Sequence, residues 1–179
     1  MQSVREPCCP TSTIPGPQSW VEAAPFRAKL RLLMAETDLP WQAVAVAAGV
    51  PLEPVRTLLF GRTGGRPLRR LYPPHARALF ELEAADLHQV RRTLVPAEQL
   101  TLPVGRLLAA GVPEVEVRRQ LRLTPDQVRR IRRREPVLVS ALTLLLAEAT
   151  RQDRAAGRQR DAGRHRDARG HRVLRPRAA

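Results

Sequence analysis

This chain holds little of what catalytic, secreted or membrane-bound proteins depend on. Among its 179 residues only Cys8 and Cys9 are cysteines, adjacent in a proline-rich stretch. Neighbouring cysteines cannot join each other without unusual strain, and no further cysteine completes a zinc set. The expected compartment is therefore a reducing cytoplasm, and no metal or cofactor is expected. No apolar run approaches the roughly 18 residues a membrane span needs. The N-terminus lacks the apolar segment of a secretory signal, so no membrane partner is expected either. Aromatic residues make up only 3%. A core here must be built from Leu, Val and Ala, as in small helical bundles. Period-two strand patterns are missing, and so is any loop that would lead from a strand into a helix and cradle a phosphate. His75, His88, His165 and His171 stand without partnered acids or nucleophiles. His75 and His88 are also too far apart on one helix to chelate together, and both read as surface residues. The chain does not read as an enzyme.

Lysine is nearly absent as well. Lys29 is the only one, although the net charge is +14, so the basic residues are almost all arginine. Arginine presents a planar fork suited to phosphates and guanine edges. That excess of charge points to a polyanion partner.

The chain divides by composition. Residues 1–22 carry Pro7, Pro10, Pro15 and Pro17 and are expected to form a disordered leader. A first domain is expected over 23–92. It opens with a helix from Pro25 to Glu36, whose Phe26, Leu30, Leu33 and Met34 recur at helical spacing. Thr37 and Asp38 are expected to break that helix and to cap the next.

The stretch from Trp41 to Phe60 then reads as two short helices joined by a sharp turn. Trp41, Val44, Ala45 and Ala48 form the inner face of the first; Val50, Val55 and Leu58 continue it beyond the turn. Gly49 accepts a left-handed backbone at the turn, and Ala45 is small enough for a helix crossing. These residues resemble the helix-turn-helix of bacterial and phage transcriptional regulators, tightly over Trp41–Phe60 and loosely over Phe26–Val90. The abundance of Ala, Arg, Gly and Pro fits a high-GC source such as an actinobacterium or one of its phages. The resemblance implies that the second helix lies in a major groove of double-stranded DNA. Its outward positions are Pro51, Leu52, Glu53, Arg56, Thr57 and Phe60. Arg56 suits guanine, Glu53 accepts from cytosine, and Thr57 reaches a phosphate or a thymine methyl. Pro51 stands where a Ser or Thr cap is usual, and Pro54 falls in the first turn, where proline is tolerated.

A glycine- and arginine-rich loop comes next, bearing Arg62, Arg66, Arg69 and Arg70. Its Gly65-Arg66-Pro67 core resembles an AT-hook, whose arginines lie along a narrow minor groove. The alternative is a solvated basic linker. Pro73 to Arg91 reads as one helix, with Glu83 intruding on its apolar stripe.

A second domain is expected over 97–150. Within it Leu102 to Glu135 repeats the theme: Val117, Leu121, Leu123, Val128 and Ile131 take the inward places of Val44, Ala48, Val50, Val55 and Leu58. Arg118 and Arg122 replace Ala45 and Gly49, so this unit is the weaker match. Thr124-Pro125-Asp126-Gln127 is a helix start. The outward face is Thr124, Gln127, Arg129, Arg130, Arg133 and Arg134, fit for guanines or phosphates. Pro136 to Thr150 reads as a nearly all-apolar helix. It is either the core of the second bundle or a homodimer seam through 137–147. Residues 151–179 hold ten arginines and three aspartates, half of the net charge, and are expected to be a disordered arm.

The fold expectation is all-α: small helical bundles with one clear and one weaker helix-turn-helix unit, and disordered arms at both ends. The functional expectation is a sequence-specific DNA-binding regulator associated with the nucleoid. The alternative is an assembly or adaptor protein, of phage packaging or in contact with RNA polymerase, that grips nucleic acid without strong specificity. RNA is disfavoured, because few aromatics are present for base stacking.

Overall fold

A computed structural model describes residues 20–62 and 65–170, with side chains described as far as residue 160. Residues 1–19, Thr63, Gly64 and residues 171–179 lie outside the described residues, and with them most of the expected leader and the end of the expected arm; the last leader residues, Val21 and Glu22, are ordered in a strand. Among the described residues the protein is all-α, with nine α-helices and two small sheets of two strands each.

The first half runs β1 (Val21–Glu22), α1 (Ala24–Thr37), α2 (Trp41–Ala47), α3 (Leu52–Phe60) and β2 (Arg70–Leu71). Leu30 and Leu33 bury one side of α1, and Asp38 ends it in a left-handed conformation. Arg91 closes that end by donating to the Thr37 carbonyl at 2.9 Å, a long-range cap for a carbonyl with no partner in its own helix. Thr37 does not cap α2 as expected. It is buried, and its hydroxyl donates back to the Leu33 carbonyl. The turn between α2 and α3 is the one the residues demand. Gly49 has φ +67°, and the Val50 amide donates to the Ala45 carbonyl at 3.0 Å. Ala43, Val44 and Ala45 are fully buried where α2 meets its neighbours.

The second half has the same plan. It comprises β3 (Leu94–Pro96), a 3-10 turn at Ala97–Leu100, α6 (Thr101–Ala109), α7 (Glu114–Leu121), α8 (Pro125–Arg132) and β4 (Leu138–Ser140). Arg122 takes the place of Gly49 at φ +54°, and the Leu123 amide donates to the Arg118 carbonyl at 2.9 Å. Both first turns also match: Ala43 donates to Pro40 and Glu116 to Pro113, each at 2.9 Å. The duplication reaches the strands. Ala23 donates to Arg69 beside the β1–β2 pair, and Ala97 donates to Val137 beside the β3–β4 pair, both at 2.9 Å. Each unit is thus a helix-turn-helix whose ends are tied together by one antiparallel pair.

Three expectations are corrected. The strands went unseen because period-two alternation becomes visible only over about four residues or more, and these span two or three. The single helix over 73–91 is instead α4 (Pro73–Glu81) and α5 (Ala84–Arg92). Glu83 is extended between them and forms a capping box with Asp86, which accounts for an acid on an apolar stripe. The apolar run from 136 begins as β4, and α9 (Ala141–Gly170) continues far past Thr150 into the arm expected to be disordered. Elongating an existing helix avoids the nucleation cost. The Ala, Arg and Gln content of 151–160 favours that elongation, as does an ion pair from Arg151 to Glu148 at 2.5 Å.

The helix α9 joins the two halves. It packs against α2, α3, α5 and α7, and Leu142, Leu146, Ala147 and Ala149 are buried there. Each buried Leu contributes about 1.5–3 kcal/mol. The apolar run therefore finds its burial within the chain, and buried residues of both units belong to one hydrophobic cluster. No helix among the described residues is long and apolar enough to cross a membrane.

Candidate nucleic-acid interface

In the first unit the outer face of α3 presents Glu53 and Arg56 to solvent, with Pro51 exposed at its start and Thr57 half-buried. Leu52 is a correction. Expected to face outward, it is only 5% exposed and belongs to the core. With Pro51 as the cap, Leu52 opens the helix on the same side as Val55 and Leu59, one turn and two turns further on. Phe60 is exposed, but its ring meets Trp41 edge-on, with centroids 5.9 Å apart.

The loop after α3 is held more closely than its glycines suggest. The Arg62 amide donates to the Arg66 carbonyl and the Gly65 amide to the Arg62 carbonyl, both at 2.9 Å. Gly61 has φ +82°, and a Cβ there would stand 2.7 Å from the Arg66 carbonyl oxygen. Only glycine fits. Arg27 of α1 braces both ends of the loop, a role that no sequence pattern announced. Its Nε donates to the Leu58 carbonyl at 2.7 Å and its Nη2 to the Leu68 carbonyl at 2.8 Å. Arg62, Arg66, Arg69 and Arg70 are exposed around this brace. Arg56 and these four arginines are thereby carried on one fixed scaffold.

In the second unit Thr124 and Gln127 are committed to structure. The Thr124 hydroxyl accepts from the Gln127 amide, and the Gln127 side chain accepts from the Thr124 amide at 2.9 Å. The same Gln127 side chain donates to the Leu138 carbonyl at 3.1 Å, which ties α8 to β4. Their polar atoms are in local use, which helical periodicity alone could not reveal. Arg129 pairs with Asp126 at 2.6 Å, and this hydrogen bond holds the Asp126 carboxyl below the ordinary aspartate range. Arg130 and Arg133 both approach Glu135 at 3.8 Å, and Arg130 also donates to the Pro136 carbonyl. Arg132 approaches Glu114 at 3.6 Å. These pairs are exposed, so each contributes little to stability. They leave the arginines positioned yet able to exchange a carboxylate for a phosphate.

Asp153 of α9 has Arg56 and Glu53 of α3 as electrostatic neighbours. Burial pushes its carboxyl above the ordinary aspartate range, while Arg56 and Arg160 draw it back. His75 is half-buried against the Tyr72 ring, with centroids 5.3 Å apart, and burial lowers its pKa. Among the described residues no group of His, Cys, Asp and Glu is arranged to hold a metal ion. Compared with protein-family models, curated proteins and solved structures, the chain matches none of them.

Proposed function

We propose that this protein is a sequence-specific binder of double-stranded DNA acting in transcriptional regulation. In this reading α3 enters a major groove with Arg56 and Glu53 at the base edges. Thr57 and the loop arginines Arg62, Arg66, Arg69 and Arg70 lie on phosphates or in the adjoining minor groove. The second unit places Arg129, Arg130 and Arg133 of α8 on the same duplex. The observation that carries the reading is the pair of matching tight turns at Gly49 and Arg122, each followed by a helix with an exposed, arginine-bearing outer face. A helix whose outer face is left exposed beyond such a turn can enter a groove about 12 Å wide. The net charge of +14 supplies the long-range attraction.

A second reading is favoured by one feature. The arginines of α8 are already paired with Asp126 and Glu135, which suits a phosphate clamp or a protein contact better than base readout. The protein would then be an assembly or adaptor factor, with weak sequence preference. Selection of bound fragments from random genomic DNA, with excess non-specific competitor, separates the two. A regulator enriches one site, and its footprint covers it. An adaptor enriches nothing.

A further inference from the structure

The two units do not merely sit side by side on α9. Between them lies a cleft of about 510 Å³, lined by Gln42 of α2, by Arg119 and Arg122 at the end of α7, and by Asp153 and Arg154 of α9. Three arginines face one aspartate in it. Arg119 is held by Glu116 at 3.1 Å, whereas neither Arg122 nor Arg154 forms an ion pair with any described residue.

Arg122 is the informative member. It occupies a left-handed position, φ +54°, which the first unit fills with Gly49 at φ +67°. An L side chain at such a position is strained. Glycine solves the same turn without strain 73 residues earlier, from Gly49 to Arg122. The turn itself therefore gives no reason for a side chain here, and the chain nevertheless places an exposed arginine in the lining of the cleft. The position is central. Asp153, in the same cleft, feels the charge of Arg56 of α3, and Arg122 stands two residues before the Thr124 cap of α8. A negative group entering the cleft meets arginines from two elements in a concave surface, where charge pairs are screened less than on an open face.

The geometry points to a clamp for one backbone phosphate of the duplex, held by Arg122 and Arg154 in the cleft between the two units. This inference rests on the DNA-binding reading above. Its role is register: one phosphate fixed between the units sets the spacing at which α3 and α8 meet their grooves. It carries no base preference of its own.

The test uses the full chain and two duplexes, the selected site and a random sequence, each titrated over a range of NaCl concentrations. Arg122→Gly restores the residue of the first unit, so it is expected to melt at or above the parent. Its slope of log K against log salt should fall by about 0.9, the contribution of one phosphate. Over a tenfold range of salt that slope corresponds to about an eightfold loss of affinity at the low-salt end. The loss should be the same on both duplexes. Arg122→Lys should keep the slope, because it keeps the charge. Arg154→Ala lies outside the turn and carries the same expectation as Arg122→Gly; it decides the matter if the glycine variant melts lower than the parent. Parent-like slopes in Arg154→Ala and in a well-folded Arg122→Gly would overturn the clamp while leaving DNA binding intact. A parent that binds neither duplex at low salt would overturn both.

Discussion

Single residues decide whether each unit can fold at all. Ala45 is fully buried at the crossing of α2, and its carbonyl accepts the bond that closes the turn. Ala45→Glu must overpack the site, at about 1–3 kcal/mol, and bury a carboxylate in addition. The variant should lose most of its stability, measured as a fall in the urea midpoint; a parent-like midpoint would contradict the crossing. Gly61 is constrained twice, by its φ of +82° and by the Arg66 carbonyl oxygen, which an added Cβ would approach to 2.7 Å. Gly61→Ala should destabilise by more than the roughly 1 kcal/mol typical of an alanine forced into a left-handed position, and should free the loop arginines from their brace. Asp153 carries a pH signature. Its folded-state pKa lies above the ordinary aspartate value, with burial the leading cause. The folded protein therefore holds that proton more tightly than the unfolded chain does. The associated stability is present below the ordinary aspartate pKa and is lost as pH rises through the folded value. Asp153→Asn should melt higher than the parent at neutral pH, and the difference should close in acid. A variant that melts lower than the parent at neutral pH would mean that attraction to Arg56 outweighs burial.

At the scale of elements, the helix-turn-helix was legible because its chemistry is local. Gly49, the capping box Thr124–Gln127 and the apolar spacing of α1 lie within a few residues of what they determine. The break at Glu83 was not legible, since a carboxylate capping its own helix leaves the same apolar spacing as an uninterrupted one. The brace from Arg27 to Leu58 and Leu68 was hidden too, because it links positions 31 and 41 residues apart. The largest revision is α9. Its polar half was expected to be a free arm, yet 152 and 154–157 are half-buried against the bundle. Two truncations separate these roles. Removing 161–179 takes away six arginines and two aspartates. It should weaken binding to all sequences by a similar factor and flatten the salt dependence, by about 0.9 for each phosphate no longer neutralised. Removing 151–179 should in addition lower the melting temperature, because it uncovers α2 and α3. Equal melting of the two truncations would show that 151–160 contributes no packing.

At the scale of the molecule, one core and one long helix hold two similar units in a fixed relation. A regulator built from two identical chains reads a palindrome. A chain that carries both units should instead read an asymmetric site, spanning about one to two helical turns, as a monomer. Arg56 and Arg129 then answer for opposite ends, and each change to alanine should cost about 1–3 kcal/mol at its own end. The apolar segment 137–147 offers the competing account, a dimer seam with two equal half-sites, although Val139, Leu142, Leu146 and Ala147 are already covered by this chain. The most direct measurement is a footprint of the selected site with the parent, Arg56→Ala and Arg129→Ala. The bipartite account predicts that each variant loses protection and base preference at one end only, and that the two ends differ. Symmetric weakening of both ends by Arg56→Ala would contradict it.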